Sequence, residues 1–125
     1  MAVISFSKKV FEKEIGKIDE KMQHNITMFG TPVEKIDGNE IQIEVFPNRP
    51  DLLSYHGFKR SFTAYLKGTG LSEYKLNKPE KDYHVTIDSS VKSVRPFTAC
   101  AIIRGLRLDD EKIRGLIDMQ EKLHT

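Results

Sequence analysis

Ile41, Ile43 and Val45 alternate with Gln42 and Glu44 directly after Asp37-Gly38-Asn39, and Val33 to Ile36 lead into that tripeptide. Period-two alternation around an Asp-Gly step predicts two antiparallel strands joined by a tight turn. One face of such a ribbon is apolar and needs a cover. The preceding residues offer two short helices. Ser7 is an N-cap signal, and Phe11, Ile15 and Ile18 recur at spacings of four and three, with Gly16 interrupting the pattern. Met22, Ile26 and Phe29 repeat that spacing up to the breaker cluster Gly30-Thr31-Pro32. These two helices are the nearest candidates to cover the hairpin.

The hairpin runs into Phe46-Pro47-Asn48-Arg49-Pro50-Asp51-Leu52-Leu53, where the two prolines forbid a regular helix and disfavour a paired strand. A third helix follows, capped by Asp51 or Ser54. Phe58, Phe62, Tyr65 and Leu66 share one face of it, and Gly68 and Gly70 stop it. Ser72 to Asp82 is lysine-rich, contains Pro79 and reads as a linker. Tyr83, Val85 and Ile87 then alternate as a strand. Residues 97–108, with the apolar run Ala99-Cys100-Ala101-Ile102-Ile103, read as a second strand covered on both faces. Asp109 caps a last helix with Asp110 and Glu111 in its first turn, where they complement the helix dipole. Ile113, Leu116, Ile117 and Leu123 form its apolar stripe.

The pattern predicts an α+β chain in two parts. Residues 1–78 form a small module of helices on a hairpin, and residues 82–125 form an incomplete strand-strand-helix start of a larger α/β module. About 43 residues seldom bury a stable core alone. The second part is therefore expected to be the opening of a larger domain, or to be completed by a partner chain.

Composition removes several classes. With a net charge of +2 the chain is not a strongly basic nucleic-acid protein, and one cysteine excludes a disulfide scaffold or a cysteine-based zinc site. No apolar run approaches the roughly 18 residues that span a bilayer. The N-terminus, Met1-Ala2-Val3-Ile4-Ser5-Phe6, is too short for a secretory signal. A soluble, cytoplasmic protein is expected. His24, His56, His84 and His124 have no ligand spacing, so no metal site is predicted. No phosphate-binding glycine loop and no nucleophile elbow is present, and no catalytic residue is assigned.

Two features stand out. Pro50 fixes its own φ and pushes Arg49 toward an extended backbone, while Asn48 and Asp51 can accept N–H bonds from the turn. Arg49 is thereby held in one direction, either to pair a local carboxylate or to clamp another domain or subunit. The second feature is Gln120, which lies on the apolar stripe of the last helix. A buried amide there must find hydrogen-bond partners or cost about 1–3 kcal/mol. It is either bonded to backbone or lines a polar pocket.

At these residues a resemblance emerges. Phe46 to Gly57, Phe-Pro-Asn-Arg-Pro-Asp-Leu-Leu-Ser-Tyr-His-Gly, is similar to the NRPDLxSxxG stretch in the first module of the phenylalanyl-tRNA synthetase beta subunit. Arg95-Pro96-Phe97, Ala99-Cys100-Ala101, Arg104-Gly105-Leu106 and the run from Leu116 to His124 resemble the start of that subunit's editing module. Only a short linker separates the two, as in the archaeal and eukaryotic type.

The resemblance implies an enzyme that attaches phenylalanine to tRNA-Phe with ATP and magnesium, as a tetramer of two alpha and two beta subunits. It implies that the beta subunit assembles the complex, contacts tRNA and hydrolyses mischarged Tyr-tRNA. A phenylalanine pocket rejects an added hydroxyl poorly, so a second hydrolytic sieve is useful. It also implies that Asn48, Arg49, Pro50, Asp51, Gly57, Arg95 and Pro96 are architectural or interface residues and that Gln120 borders the editing pocket. The 125 residues alone are expected to bind no cofactor and to carry neither ligase nor editing activity. A free-standing module binding RNA through Lys59, Arg60 and nearby aromatics, or protein through an open sheet edge, is the alternative.

Overall fold

A computed structural model describes residues 2–70 and 73–124, with the side chains of the last helix described as far as Lys122. The chain is α+β. Its elements are β1 (Ala2–Ser7), α1 (Lys8–Glu14), α2 (Glu20–Met28), β2 (Val33–Asp37), β3 (Glu40–Val45), a 3₁₀ turn at Pro50–Leu52, α3 (Tyr55–Lys67), a second 3₁₀ turn at Ser89–Ser93 and α4 (Asp110–His124).

The predicted hairpin forms as β2 and β3. Gly38, at φ +56°, supplies the left-handed backbone at the first position of its two-residue turn. The first six residues, read above only as too short for a leader, form a third strand. β1 pairs antiparallel with β3 in the register Ile4↔Ile43 and Phe6↔Ile41, giving the sheet order β1-β3-β2. Ser7 ends β1 and caps α1 at once, its Oγ accepting the Val10 N–H at 3.3 Å. Asn39 ties the hairpin turn to this junction, accepting from the backbone N–H groups of Lys8 at 2.7 Å and Lys9 at 3.0 Å.

Ile4, Phe6, Ile41, Ile43 and Val45 line the buried face of the sheet. All three helices of the first 70 residues cover it: α1 contributes Phe11, α2 contributes Ile26, and α3 contributes Phe58 and Phe62. The rings interlock, with Phe58 and Phe62 stacked at 5.1 Å and Phe6 on Phe58 at 5.5 Å. Burying each phenylalanine contributes about 1.5–3 kcal/mol. Thr31 is the fully buried polar residue of this core, and its hydroxyl donates to the Ile26 carbonyl at 3.1 Å.

The described residues pack as two units: those up to 70 together with α4, and residues 73–107. In the second unit the sequence expectation meets a correction. Neither 83–87 nor 97–108 forms a strand, and Tyr83, Val85, Ile87, Phe97, Ile102 and Ile103 are exposed. A strand exists only as part of a ladder, because its N–H and C=O groups must be paired. Among the described residues neither segment has a ladder partner.

Candidate functional site

The Asn48–Gly57 segment joins β3 to α3, and its residues are engaged with one another. Pro50 opens the 3₁₀ turn, where its missing N–H is harmless. Arg49, with φ −125° and ψ 60°, sits just outside the turn rather than in a fully extended conformation. Its guanidinium grips Asp51 through two hydrogen bonds, Nε to Oδ1 at 2.9 Å and Nη2 to Oδ2 at 2.8 Å. The hydrogen bonds from Arg49 hold the Asp51 carboxyl below the usual carboxylate range and raise the arginine in turn. The same guanidinium lies over the Phe29 ring at 5.3 Å, which ties the connector to the end of α2. Of the two readings of Arg49, the structure shows the local carboxylate pair.

Leu52 anchors the turn in the core, and Ser54 caps α3, its Oγ accepting the Gly57 N–H at 3.2 Å. Of the two cap candidates, Ser54 takes the role because Asp51 is held by Arg49. A Cβ on Gly57 would run into the backbone carbonyl of Asp51, closer than real Cβ atoms come. Glycine is therefore what lets α3 lie against the turn.

A second polar cluster was not foreseen from the sequence. The Tyr55 hydroxyl donates to the Glu14 carboxylate at 2.8 Å, and Lys59 Nζ meets the same oxygen at 2.9 Å, linking α1 to α3. Burial, followed by the Glu14 hydrogen bond, pushes the Tyr55 hydroxyl far up. Burial alone would raise Glu14, but the hydrogen bonds from Lys59 and Tyr55 outweigh it and hold its carboxyl down. The signal was the i, i+4 spacing of Tyr55 and Lys59 on one side of α3. Beside this cluster is a cleft of about 290 Å³ lined by Phe6, Val10, Glu14, Tyr55, His56 and Gly115, among others.

α4 is capped as predicted, with Asp109 Oδ1 accepting the Lys112 N–H at 2.9 Å. It meets α3 where His56 lies against Gly115. This contact turns its apolar stripe outward, leaving Ile113 and Leu116 each 43% and Ile117 51% exposed. Gln120 is exposed as well, so in this chain the amide needs no protein partner. Arg95 and Pro96 follow the 3₁₀ turn at Ser89–Ser93, the Arg95 N–H donating to the Val91 carbonyl at 2.7 Å; both are exposed. The structure thus brings Arg49, Pro50, Asp51 and Gly57 into one assembly that does not include Gln120, Arg95 or Pro96. Among the described residues no group of His, Cys, Asp and Glu is arranged to hold a metal ion, and no helix is long and apolar enough to cross a membrane.

An α+β unit whose first strand lies beside a β-hairpin, joined by a proline-locked connector to a capped helix, is the class defined by this geometry. Comparison with known proteins shows what the chain is similar to. The chain is 34% identical over 127 residues to the phenylalanine–tRNA ligase beta subunit of Methanosphaera stadtmanae, covering 99% of this chain and 22% of the relative. It is 40% identical over 121 residues to that of Methanopyrus kandleri, covering 93% of this chain and 20% of the relative. The crystal structure of an N-terminal fragment of the phenylalanyl-tRNA synthetase beta subunit from Pyrococcus horikoshii superposes with a TM-score of 0.74 at 27% identity, covering 98% of this chain and 37% of that one. No family model matches the chain. Over nearly its full length the chain is a relative of the N-terminal portion of the archaeal phenylalanyl-tRNA synthetase beta subunit. It spans about a fifth of the length of these relatives.

Proposed function

We propose that the chain serves as the N-terminal part of a phenylalanine–tRNA ligase beta subunit, in an enzyme that joins phenylalanine to tRNA-Phe using ATP and magnesium. The observation that carries this reading is the agreement of sequence and fold with beta subunits over almost the whole chain. In this reading residues 1–78 are an architectural module for assembly with the alpha subunit in a tetramer of two alpha and two beta subunits. The internal engagement of Arg49, Asp51, Phe29 and Gly57 supports a scaffold role for the connector.

Residues 82–125 open the editing module that clears mischarged Tyr-tRNA. Two observations favour this. Among the described residues the strand-patterned segments 83–87 and 97–103 join no sheet, and the apolar stripe of α4 is exposed while its glycine face contacts α3. Both are what segments of a shared core look like without the remainder of that core. Gln120 then borders the editing pocket.

Tagging the chain at its native locus and identifying co-purifying proteins tests assembly. The alpha subunit is expected in the eluate, and its absence from an eluate rich in the tagged chain contradicts the reading. Gln120→Ala in the assembled enzyme is expected to slow Tyr-tRNA deacylation while Phe-tRNA synthesis is kept. Unchanged deacylation removes Gln120 from the pocket.

A further inference from the structure

The two edges of the sheet are built differently. β2 carries Glu34, Lys35 and Asp37, is preceded by Pro32, and shifts register between Val33 and Lys35. These are the devices that keep an edge strand from pairing further. β1 has none of them: its six residues, Ala-Val-Ile-Ser-Phe-Ser, carry no charge, contain no proline and keep an unbroken register with β3. Among the described residues β1 pairs only with β3, so its other edge presents alternate backbone N–H and C=O groups outward. Val3, on the open face, is 55% exposed.

The open face beside that edge is acidic. Val3 lies opposite Glu44, Ser5 opposite Gln42 and Ser7 opposite Glu40. Glu40 is held in its ionised form by hydrogen bonds from Gln42 and Ser5, its carboxyl lying below the usual carboxylate range. β2 and β3 together carry four carboxylates against the single Lys35, which is itself paired with Asp37 at 2.8 Å. α3, by contrast, carries Lys59, Arg60 and Lys67 and no acid.

We propose that the outer edge of β1 is a β-addition site for an extended, basic segment of a partner protein. Backbone pairing along Ala2–Ser7 supplies the bonds. A strand added there runs about 10 Å from β3, within reach of lysine side chains directed at Glu40 and Glu44. The acidic face repels a phosphate backbone. It also disfavours a second copy of this chain paired β1 to β1, since that would set two acidic faces in one sheet. The site is independent of the synthetase reading, and its failure would leave that reading untouched.

The test is an NMR titration of the isotopically labelled chain with an eight-residue peptide alternating lysine and valine and with its glutamate–valine counterpart. The lysine peptide is expected to slow exchange and shift the amides of Ala2–Ser7, with binding that weakens as salt rises. The glutamate peptide is expected to leave those amides unmoved. Glu44→Lys, a change on the open face of β3, is expected to weaken the lysine peptide about tenfold, and Val3→Lys to act in the same direction. No response of Ala2–Ser7, an equal response to both peptides, or pairing of β1 with itself as the protein is concentrated without peptide would overturn the proposal.

Discussion

Residues 2–70 and residues 73–107 carry similar apolar patterns and reach different ends. In the first region every alternating segment finds a mate: Ile41, Ile43 and Val45 are buried because β1 and β2 flank β3 and three helices cover one face. In the second region Phe97 is 92% exposed, and the Tyr83-Val85-Ile87 alternation stands alone. Apolar pattern sets which residues would face a core. Only pairing partners and a covering layer within the same chain make that core form.

That contrast can be broken by substitution, and the largest effect belongs in the first region. Phe58→Ala removes a fully buried ring that contacts Phe6, Phe11 and Phe62. It is expected to lower unfolding free energy in urea by about 3–5 kcal/mol. Phe97→Ala, read by the same urea titration, is expected to fall within about 0.5 kcal/mol of the parent, since a surface change away from special features costs little. Comparable losses at the two sites would erase the distinction. Gly57→Ala should come next, at about 1–3 kcal/mol, because its methyl group meets the Asp51 backbone carbonyl and not a side chain that can swing aside. Ser54→Ala, which deletes the α3 cap, is expected to cost about 1 kcal/mol, and Ser54→Asp to restore most of it.

The smallest effect concerns the Arg49–Asp51 pair, whose side chains are 38% and 40% exposed. Solvent screening limits such a pair to about 1 kcal/mol or less. Because the Asp51 carboxyl is held below its unfolded value, the stability it lends is fully present above that value, near 3.9, and is lost as pH falls through the folded value. Arg49→Ala should therefore lower stability by about 1 kcal/mol or less at neutral pH, flatten the acid limb of the stability profile, and leave stability below the folded Asp51 value almost unchanged. An acid limb identical to the parent's would show that the pair contributes nothing. Tyr55 works at the other end. Its hydroxyl is pushed up in the folded chain, so its share of stability is present below about pH 10 and is lost as pH climbs.

Much of the first region was legible because its signals are local. Ser7, Asp109 and the Asp37-Gly38 step act within a few residues of themselves, and each does what its chemistry predicts. β1 was missed although Ile4 and Phe6 already alternate with Val3 and Ser5; so short an alternation becomes a strand only when β3 lies beside it. The choice between Ser54 and Asp51 as the cap could not be made from spacing, since it depends on Arg49 taking Asp51. In the Glu14–Tyr55–Lys59 cluster the i, i+4 spacing places Tyr55 and Lys59 on one side of α3, but nothing in the sequence pattern points to Glu14, which lies 41 residues from Tyr55. In residues 73–107 the ladder that the apolar pattern suggested does not form, and among the described residues neither strand-patterned segment has a partner.

The central claim is that residues 2–67 hold their own core while 73–107 forms none among the described residues. Native-state hydrogen exchange on the whole chain tests it most directly. Amides of β3 and α3 are expected to exchange only through global unfolding, while amides in 83–87 and 97–103 exchange at close to the unprotected rate. Protection in 83–103 equal to that of β3 would contradict the account.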